Sequence, residues 1–153
     1  MPIPDRPSTP YTASLLGYGG LVPFGVLSAI SLLGGANGFL AQRALLSYGA
    51  VILSFVGAVH WGIAMMLPPS ADARRQALWG WSVIPALMGW IALLLPPPTA
   101  GMLLVAGFAT QYAWDHRVTE DGTLPAWYRP FRLRLTLIAC MALLVGTAGW
   151  RLN

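Results

Sequence analysis

Long apolar stretches, separated by short polar or Pro/Gly-rich segments, dominate the pattern of this chain. No charged residue occurs between Tyr11 and Gln42, and residues 11–33 are long enough to cross ~30 Å of hydrocarbon at 1.5 Å per residue. The segment Gly34–Gly38 predicts a turn after this first span. Further helices are predicted over residues 44–67, 76–95, 100–118 and 133–150, bounded by Arg43, Pro68-Pro69, Pro96-Pro97-Pro98 and a polar loop at 119–132.

This pattern predicts an all-α membrane protein, a compact bundle of about five transmembrane helices. We expect one transmembrane domain over residues 11–153, preceded by a Pro-rich tail at 1–10. Composition agrees, because 56 % of residues are hydrophobic, only 9 % are charged and the mean hydropathy is +0.63. Soluble domains carry about 25 % charged residues, so a largely apolar exterior indicates contact with a lipid bilayer.

The distribution of arginine predicts the orientation in the membrane. All nine basic residues are Arg, a bias that indicates a GC-rich bacterial genome. With five spans, two of them fall on one side, Arg43 and Arg151, and seven on the other: Arg6, Arg74, Arg75, Arg117, Arg129, Arg132 and Arg134. The positive-inside rule then predicts an inner-membrane protein with a cytoplasmic N-terminus and a C-terminus on the opposite side.

Small residues recur every four positions in the second span. Ala50, Ser54, Ala58 and Gly62 form a stripe that would let another backbone approach closely. We interpret this stripe as a helix-packing face, either within the bundle or against another membrane protein or a second copy of the chain. A ligand groove on the same face is the alternative.

Polar residues within the spans are the candidate functional groups. His60 lies in the second span, and Gln111 and Asp115 lie four residues apart on one face of the fourth span. The second and fourth spans run in the same direction, so the three side chains are expected at a similar depth. We predict that the imidazole of His60 points into the bundle and meets a polar group on another helix. The structural alternative is that Asp115 merely marks the end of its helix in headgroup water.

The motifs favour two classes of function over enzymatic activity. An accessory, assembly or scaffold protein of a membrane complex needs packing faces such as the stripe. A binder or transporter of a small hydrophobic or planar ligand (a quinone, a tetrapyrrole or a lipid) would need a pocket, which His60 and the neighbouring Trp61 could line. No metal-ligand spacing, no cofactor motif and no convergent catalytic groups are present, and the pI near 9.8 comes without a nucleic-acid-binding pattern.

Several spaced motifs resemble a domain-of-unknown-function membrane family of bacteria and mitochondria that includes transmembrane protein 69. The matching residues run from Leu16 to Leu144 and comprise Tyr48–Phe55 with Gly57, His60-Trp61-Gly62, Trp81–Pro85, Gly107-Phe108 with Gln111 and Asp115, and Pro125–Tyr128. The resemblance implies an integral membrane protein and supports the topology. It assigns no chemistry to these residues.

Overall fold

The computed structural model describes residues 9–120 and 125–148, and every regular element in these residues is helical. The chain order is α1 (Tyr11–Gly19), α2 (Val22–Ser31), α3 (Gly35–Met66), a one-turn 3₁₀ helix (Pro69–Ala71), α4 (Asp72–Ala92), α5 (Pro97–Glu120) and α6 (Tyr128–Ala148). The all-helical prediction is therefore confirmed for the described ranges. Residues 1–8 of the predicted tail, including Arg6, and residues 149–150 of the predicted last span, with Arg151 beyond it, lie outside them.

The first predicted span consists of two helices rather than one. Helix α1 ends at Gly19 and α2 begins at Val22, with Pro23 in its first turn. Proline has no backbone N–H to donate to the carbonyl four residues earlier, so an uninterrupted helix is disfavoured at this point. The hydroxyl of Tyr48, on α3, donates a 2.9 Å hydrogen bond to the carbonyl oxygen of Gly20. That bond satisfies a backbone acceptor exposed by the break.

Helix α3 is longer than the apolar pattern predicts. It contains 32 residues and starts at Gly35 rather than at residue 44, so the predicted turn over Gly34–Gly38 is shorter than expected. The chain reverses at Gly34 and Gly35, whose φ angles of 71° and 64° lie in the left-handed region that glycine adopts readily. These two residues complete the turn, and the following residues are free to be helical.

Helices α4, α5 and α6 also begin before the predicted apolar boundaries, which were residues 76, 100 and 133. Their polar first turns escape a search for apolar runs, and Pro97 occupies a position at the start of a helix where proline is favourable. By length and composition, three segments of the described chain are able to cross a membrane: Tyr11–Ser31, Gly35–Met66 and Tyr128–Ala148.

Helix α3 lies at the centre of the bundle and contacts α2, α4, α5 and α6. The main core joins five helices through buried apolar side chains, among them Phe24, Leu53, Ala92, Phe108 and Leu143. Helices α3 and α4 are in close contact at two glycines, Gly57 and Gly89. A Cβ atom on Gly57 would lie 2.8 Å from Cγ of Pro85, and one on Gly89 would lie 3.0 Å from the carbonyl oxygen of Ala50. Glycine at both positions makes the close packing sterically permissible.

Candidate functional site

Four helices contribute side chains to a buried polar network. We use this name for His60 on α3, Trp81 on α4, Gln111 and Asp115 on α5, and Arg132 on α6. His60 and Gln111 are fully buried, and Asp115 and Arg132 are 3 % and 5 % exposed. The helical spacing of four residues places Gln111 and Asp115 one above the other, as predicted. The structure thus brings His60, Gln111 and Asp115 together.

The amide of Gln111 is at the centre of the network. Its Oε1 accepts a 2.9 Å hydrogen bond from the indole N–H of Trp81. Its Nε2 lies 3.0 Å from Oδ1 of Asp115 and 3.2 Å from Nδ1 of His60, with the carbonyl oxygen of Val56 at 3.4 Å. An indole nitrogen can only donate, so the contact with Trp81 identifies the oxygen of the amide and directs its NH₂ group toward the other residues.

The ring of His60 faces this NH₂ group through Nδ1, which can accept from it when the ring proton resides on Nε2. Nε2 lies 3.3 Å from Oδ1 of Asp115, although their geometry falls short of a well-directed hydrogen bond.

Asp115 is also paired with a buried arginine. Nε of Arg132 donates a 2.9 Å hydrogen bond to Oδ2 of Asp115. Two buried opposite charges compensate each other in a way that neither could achieve alone in an apolar environment. The Nη2 atom of the same guanidinium is buried and has no hydrogen-bond acceptor among the described residues.

Arg132 forms part of the wall of an apolar crevice of about 120 Å³. The crevice lies between α1, α2, α3, α5 and α6, and its remaining lining is Leu16, Gly17, Gly20, Leu21, Phe24, Ile52, Phe55, Val56, Phe108, Leu135 and Ala139. Of the lining residues that the structure describes, Arg132 alone has a polar side chain. We call this space the Arg132 crevice.

The other sequence-predicted residues lie outside the network. Trp61 is 49 % exposed and its ring neighbours Trp79, with a centroid separation of 6.2 Å. Within the predicted stripe, Ala50 is buried against α4, whereas Ala58 is exposed. Ser54 is half-buried, and its hydroxyl donates a hydrogen bond to the carbonyl oxygen of Ala50 on the same helix. A Cβ atom on Gly62 would have no neighbour within 4 Å. The buried face of α3 instead contains Gly49, Leu53, Gly57, His60 and Ala64. This face is rotated about the helix axis relative to the stripe.

Arg132 and Trp81 are the network residues that sequence reasoning misses. Arg132 falls in the segment predicted as a loop, whereas α6 begins at Tyr128 and places it in the second helical turn. A signal was available in the spacing, because Arg132, Thr136, Ala139 and Leu143 recur at intervals of four, three and four and form one buried helix face. Trp81 is part of the Trp81–Pro85 motif, but nothing in the local sequence indicates that its N–H meets Gln111.

Within the described ranges, no three His, Cys, Asp or Glu side chains come together as a set able to hold a metal ion. The network consists of one carboxylate, one imidazole, one amide, one indole and one guanidinium. Such a set can orient a hydrogen-bonding ligand and can stabilise the packing of four helices.

Apolar helices around a buried polar network define a helical membrane protein. The chain belongs to the family described as protein of unknown function, DUF3429, whose model matches residues 9–148. It is similar to transmembrane protein 69 of Xenopus tropicalis, with 33 % identity over 143 residues, covering 88 % of this chain and 53 % of the relative. Transmembrane protein 69 of Mus musculus is 23 % identical over 138 residues, covering 90 % of this chain and 56 % of the relative. The chain therefore spans about half the length of these curated relatives, and no solved structure matches it significantly.

Proposed function

We propose that this protein is a five-span inner-membrane protein that binds a small hydrophobic ligand from the bilayer in the Arg132 crevice. The observation that carries the proposal is the crevice itself, which lies between five helices and whose lining among the described residues is apolar apart from the side chain of Arg132. A concave, mostly apolar space with one polar side chain in its wall is typical of sites that bind small hydrophobic molecules.

The size of the crevice limits the ligand groups that fit inside it. Its volume of about 120 Å³ is close to that of the ~150 Å³ engineered cavity that accommodates benzene. One six-membered ring or a short acyl segment fits, whereas the four rings of a tetrapyrrole do not. Quinones and lipids, which carry long apolar chains, could leave those chains in the surrounding bilayer.

The five-span topology rests on the arrangement of the helices and on the arginines. Helices α4 and α5 contain 21 and 24 residues, long enough for a bilayer, and α4 packs against α3 and α5. If α4 and α5 both cross the membrane, seven arginines lie on the side of the N-terminus and two on the other, which favours a cytoplasmic N-terminus.

Photolabelling tests the binding function. The full chain in lipid nanodiscs would be irradiated with an apolar diazirine probe, and the labelled peptides would be located by mass spectrometry. We expect labelling of crevice residues, including Leu135, that is strongly reduced by Ile52→Phe, because the larger ring fills the crevice. Val51→Phe, at the adjacent exposed position, is the matched control and should leave the labelling unchanged. Equal labelling in both variants would refute binding in the crevice.

An accessory or scaffold role is the second candidate function. It is favoured by the uncovered part of the stripe, where Ala58 is exposed and Gly62 leaves open space. A partner helix, or a second copy of the chain, could pack closely there. In a Cys140→Ala background, Ala58→Cys should then form an intermolecular disulfide more readily than Leu137→Cys, an exposed position on α6. Equal cross-linking at both positions would argue against a specific contact between copies.

A further inference from the structure

A groove of about 380 Å³ lies at the surface between the N-terminal half of α3, the end of α4 and the start of α5. Its volume is within the range of ~300–1,000 Å³ that is typical of small-molecule sites. The groove shares no lining residue with the Arg132 crevice, so its ligand is independent of the function proposed above. We call it the Arg43 groove.

One row of α3 forms the first wall of the groove. Phe39, Arg43 and Ser47 follow one another at intervals of four residues, lie on the same helix face and are exposed. The guanidinium carbon of Arg43 lies 5.9 Å from the centroid of the Phe39 ring. Among the described residues, no acidic side chain lines the groove and none pairs with Arg43. This wall is therefore suited to an anion, and a guanidinium matches two oxygens of a phosphate group.

The opposite wall is the end of a helix whose last carbonyl groups lack helical donors. Helix α4 ends at Ala92, and Leu93 and Leu95 line the groove. A continuing helix would pair the carbonyl of Leu93 with the N–H of residue 96 or 97, but both are proline and have none. Carbonyl groups at the end of a helix point along its axis beyond the last turn and carry a partial negative charge. This wall is therefore suited to a cation that donates hydrogen bonds.

The place of the groove along the helices puts it among lipid headgroups. Arg43 directly precedes the apolar residues 44–67 of α3, and Leu95 is the last apolar residue before the Pro96-Pro97-Pro98 triplet. An arginine at the end of an apolar segment extends its guanidinium to the membrane interface. The polar head of a lipid can thus enter the groove while its acyl chains remain in the hydrocarbon.

We propose that the Arg43 groove binds the headgroup of a phospholipid with a primary amine, of the phosphatidylethanolamine class. The phosphate pairs with Arg43, the hydroxyl of Ser47 offers a second donor, and the ammonium group donates to the carbonyl end of α4. A choline headgroup also carries a phosphate, but its quaternary nitrogen has no N–H to donate. A glycerol headgroup has no cation. The two walls together therefore select the amine-bearing headgroup.

Native mass spectrometry of the full chain in detergent tests the proposal. The protein would be titrated with dioleoyl phosphatidylethanolamine, phosphatidylcholine or phosphatidylglycerol, which share their acyl chains and differ in the headgroup. We expect the ethanolamine lipid to bind about tenfold more tightly than the other two, a difference of about 1.4 kcal/mol. Arg43→Gln should weaken binding of the ethanolamine lipid by about tenfold. Arg134→Gln removes an exposed arginine from α6, away from the groove, and should bind as the wild type.

Three results would overturn the proposal. Equal affinities for the ethanolamine and choline lipids would remove the role of the carbonyl end of α4. Equal weakening by Arg43→Gln and Arg134→Gln would mean that the arginines attract lipid only through the net charge, and unchanged binding in Arg43→Gln would exclude the groove as the site. Water-soluble phosphoethanolamine is the last arm, since displacement of the lipid at equal concentration would make the ligand a free phosphate compound. Because Arg43 is exposed, Arg43→Gln should melt at the temperature of the wild type.

Discussion

The indole N–H of Trp81 on α4 donates a 2.9 Å hydrogen bond to Oε1 of Gln111 on α5, and this contact orders the polar centre of the protein. It directs the amide NH₂ group of Gln111 toward His60 and Asp115. Without it, the amide could turn and present an oxygen to the carboxylate. One hydrogen bond between neighbouring helices thus determines which end of the Gln111 amide faces His60 and Asp115.

The first prediction concerns this contact. Trp81→Phe should lower the free energy of unfolding by about 1–3 kcal/mol, because the buried Oε1 of Gln111 loses its donor. Thermal melting in detergent would measure the effect. Trp90→Phe is the control, since Trp90 lies on the same helix and is 61 % exposed. Equal melting temperatures for the two variants would show that the contact contributes nothing.

A second prediction compares a buried ion pair with an exposed one. Asp115→Asn should destabilise the fold by about 3–5 kcal/mol, because the buried guanidinium of Arg132 keeps its charge and loses its partner. Asp72→Asn removes an exposed pair with Arg75, at 3.3 Å, and should cost no more than about 1 kcal/mol.

The double variant Asp115→Asn/Arg132→Gln tests whether the two charges act together. It should recover part of the stability lost in Asp115→Asn, since it leaves no unpaired charge in the interior. Denaturant unfolding in detergent of Asp115→Asn, Arg132→Gln and the double variant provides the three values needed. Strictly additive losses would contradict the coupling between Asp115 and Arg132.

The third prediction concerns the contact between α3 and α4. Gly57→Ala places a Cβ atom 2.8 Å from Cγ of Pro85, so it should destabilise the bundle by about 1–3 kcal/mol through overpacking. Gly62→Ala lies on the same helix with no atom within 4 Å of the new Cβ. It should be neutral or stabilising, because alanine favours the helix over glycine. A lower melting temperature for Gly62→Ala than for Gly57→Ala would contradict the packing of α4 on α3.

The fourth prediction tests the orientation in the membrane. Single cysteines would replace Ser70, between α3 and α4, and Pro96, between α4 and α5, in a Cys140→Ala background. In intact cells a membrane-impermeant thiol reagent should label Pro96→Cys and should reach Ser70→Cys only after permeabilisation, because the arginine-rich side faces the cytoplasm. The reverse pattern would invert the topology, and labelling of both in intact cells would remove α4 as a span.

Apolar periodicity was sufficient to predict the helices, and helical spacing to predict the approach of Gln111 and Asp115 to His60. It was insufficient where polar residues are helical. The first turn of α6 contains Arg129 and is followed by Arg132, so a search for apolar runs assigns both to a loop. The sequence also could not indicate which face of α3 is buried. Its small residues Ala50, Ser54, Ala58 and Gly62 are spaced as regularly as the residues of the face that is buried. Tertiary contacts such as Gly57 with Pro85 select between such faces, and these contacts depend on residues far apart in the chain.

The length of α3 affects how the protein sits in a bilayer. Its 32 residues correspond to about 48 Å of helix, whereas the hydrocarbon is ~30 Å thick and helices rarely tilt beyond about 40°. A 40° tilt accommodates about 39 Å of helix, so roughly 9 Å must project beyond the hydrocarbon. The segment before Arg43 is well placed to project, since the guanidinium would then lie among the headgroups. Hydrophobic mismatch would then act on this protein mainly through α3, and thinner membranes should increase its tilt or its projecting length.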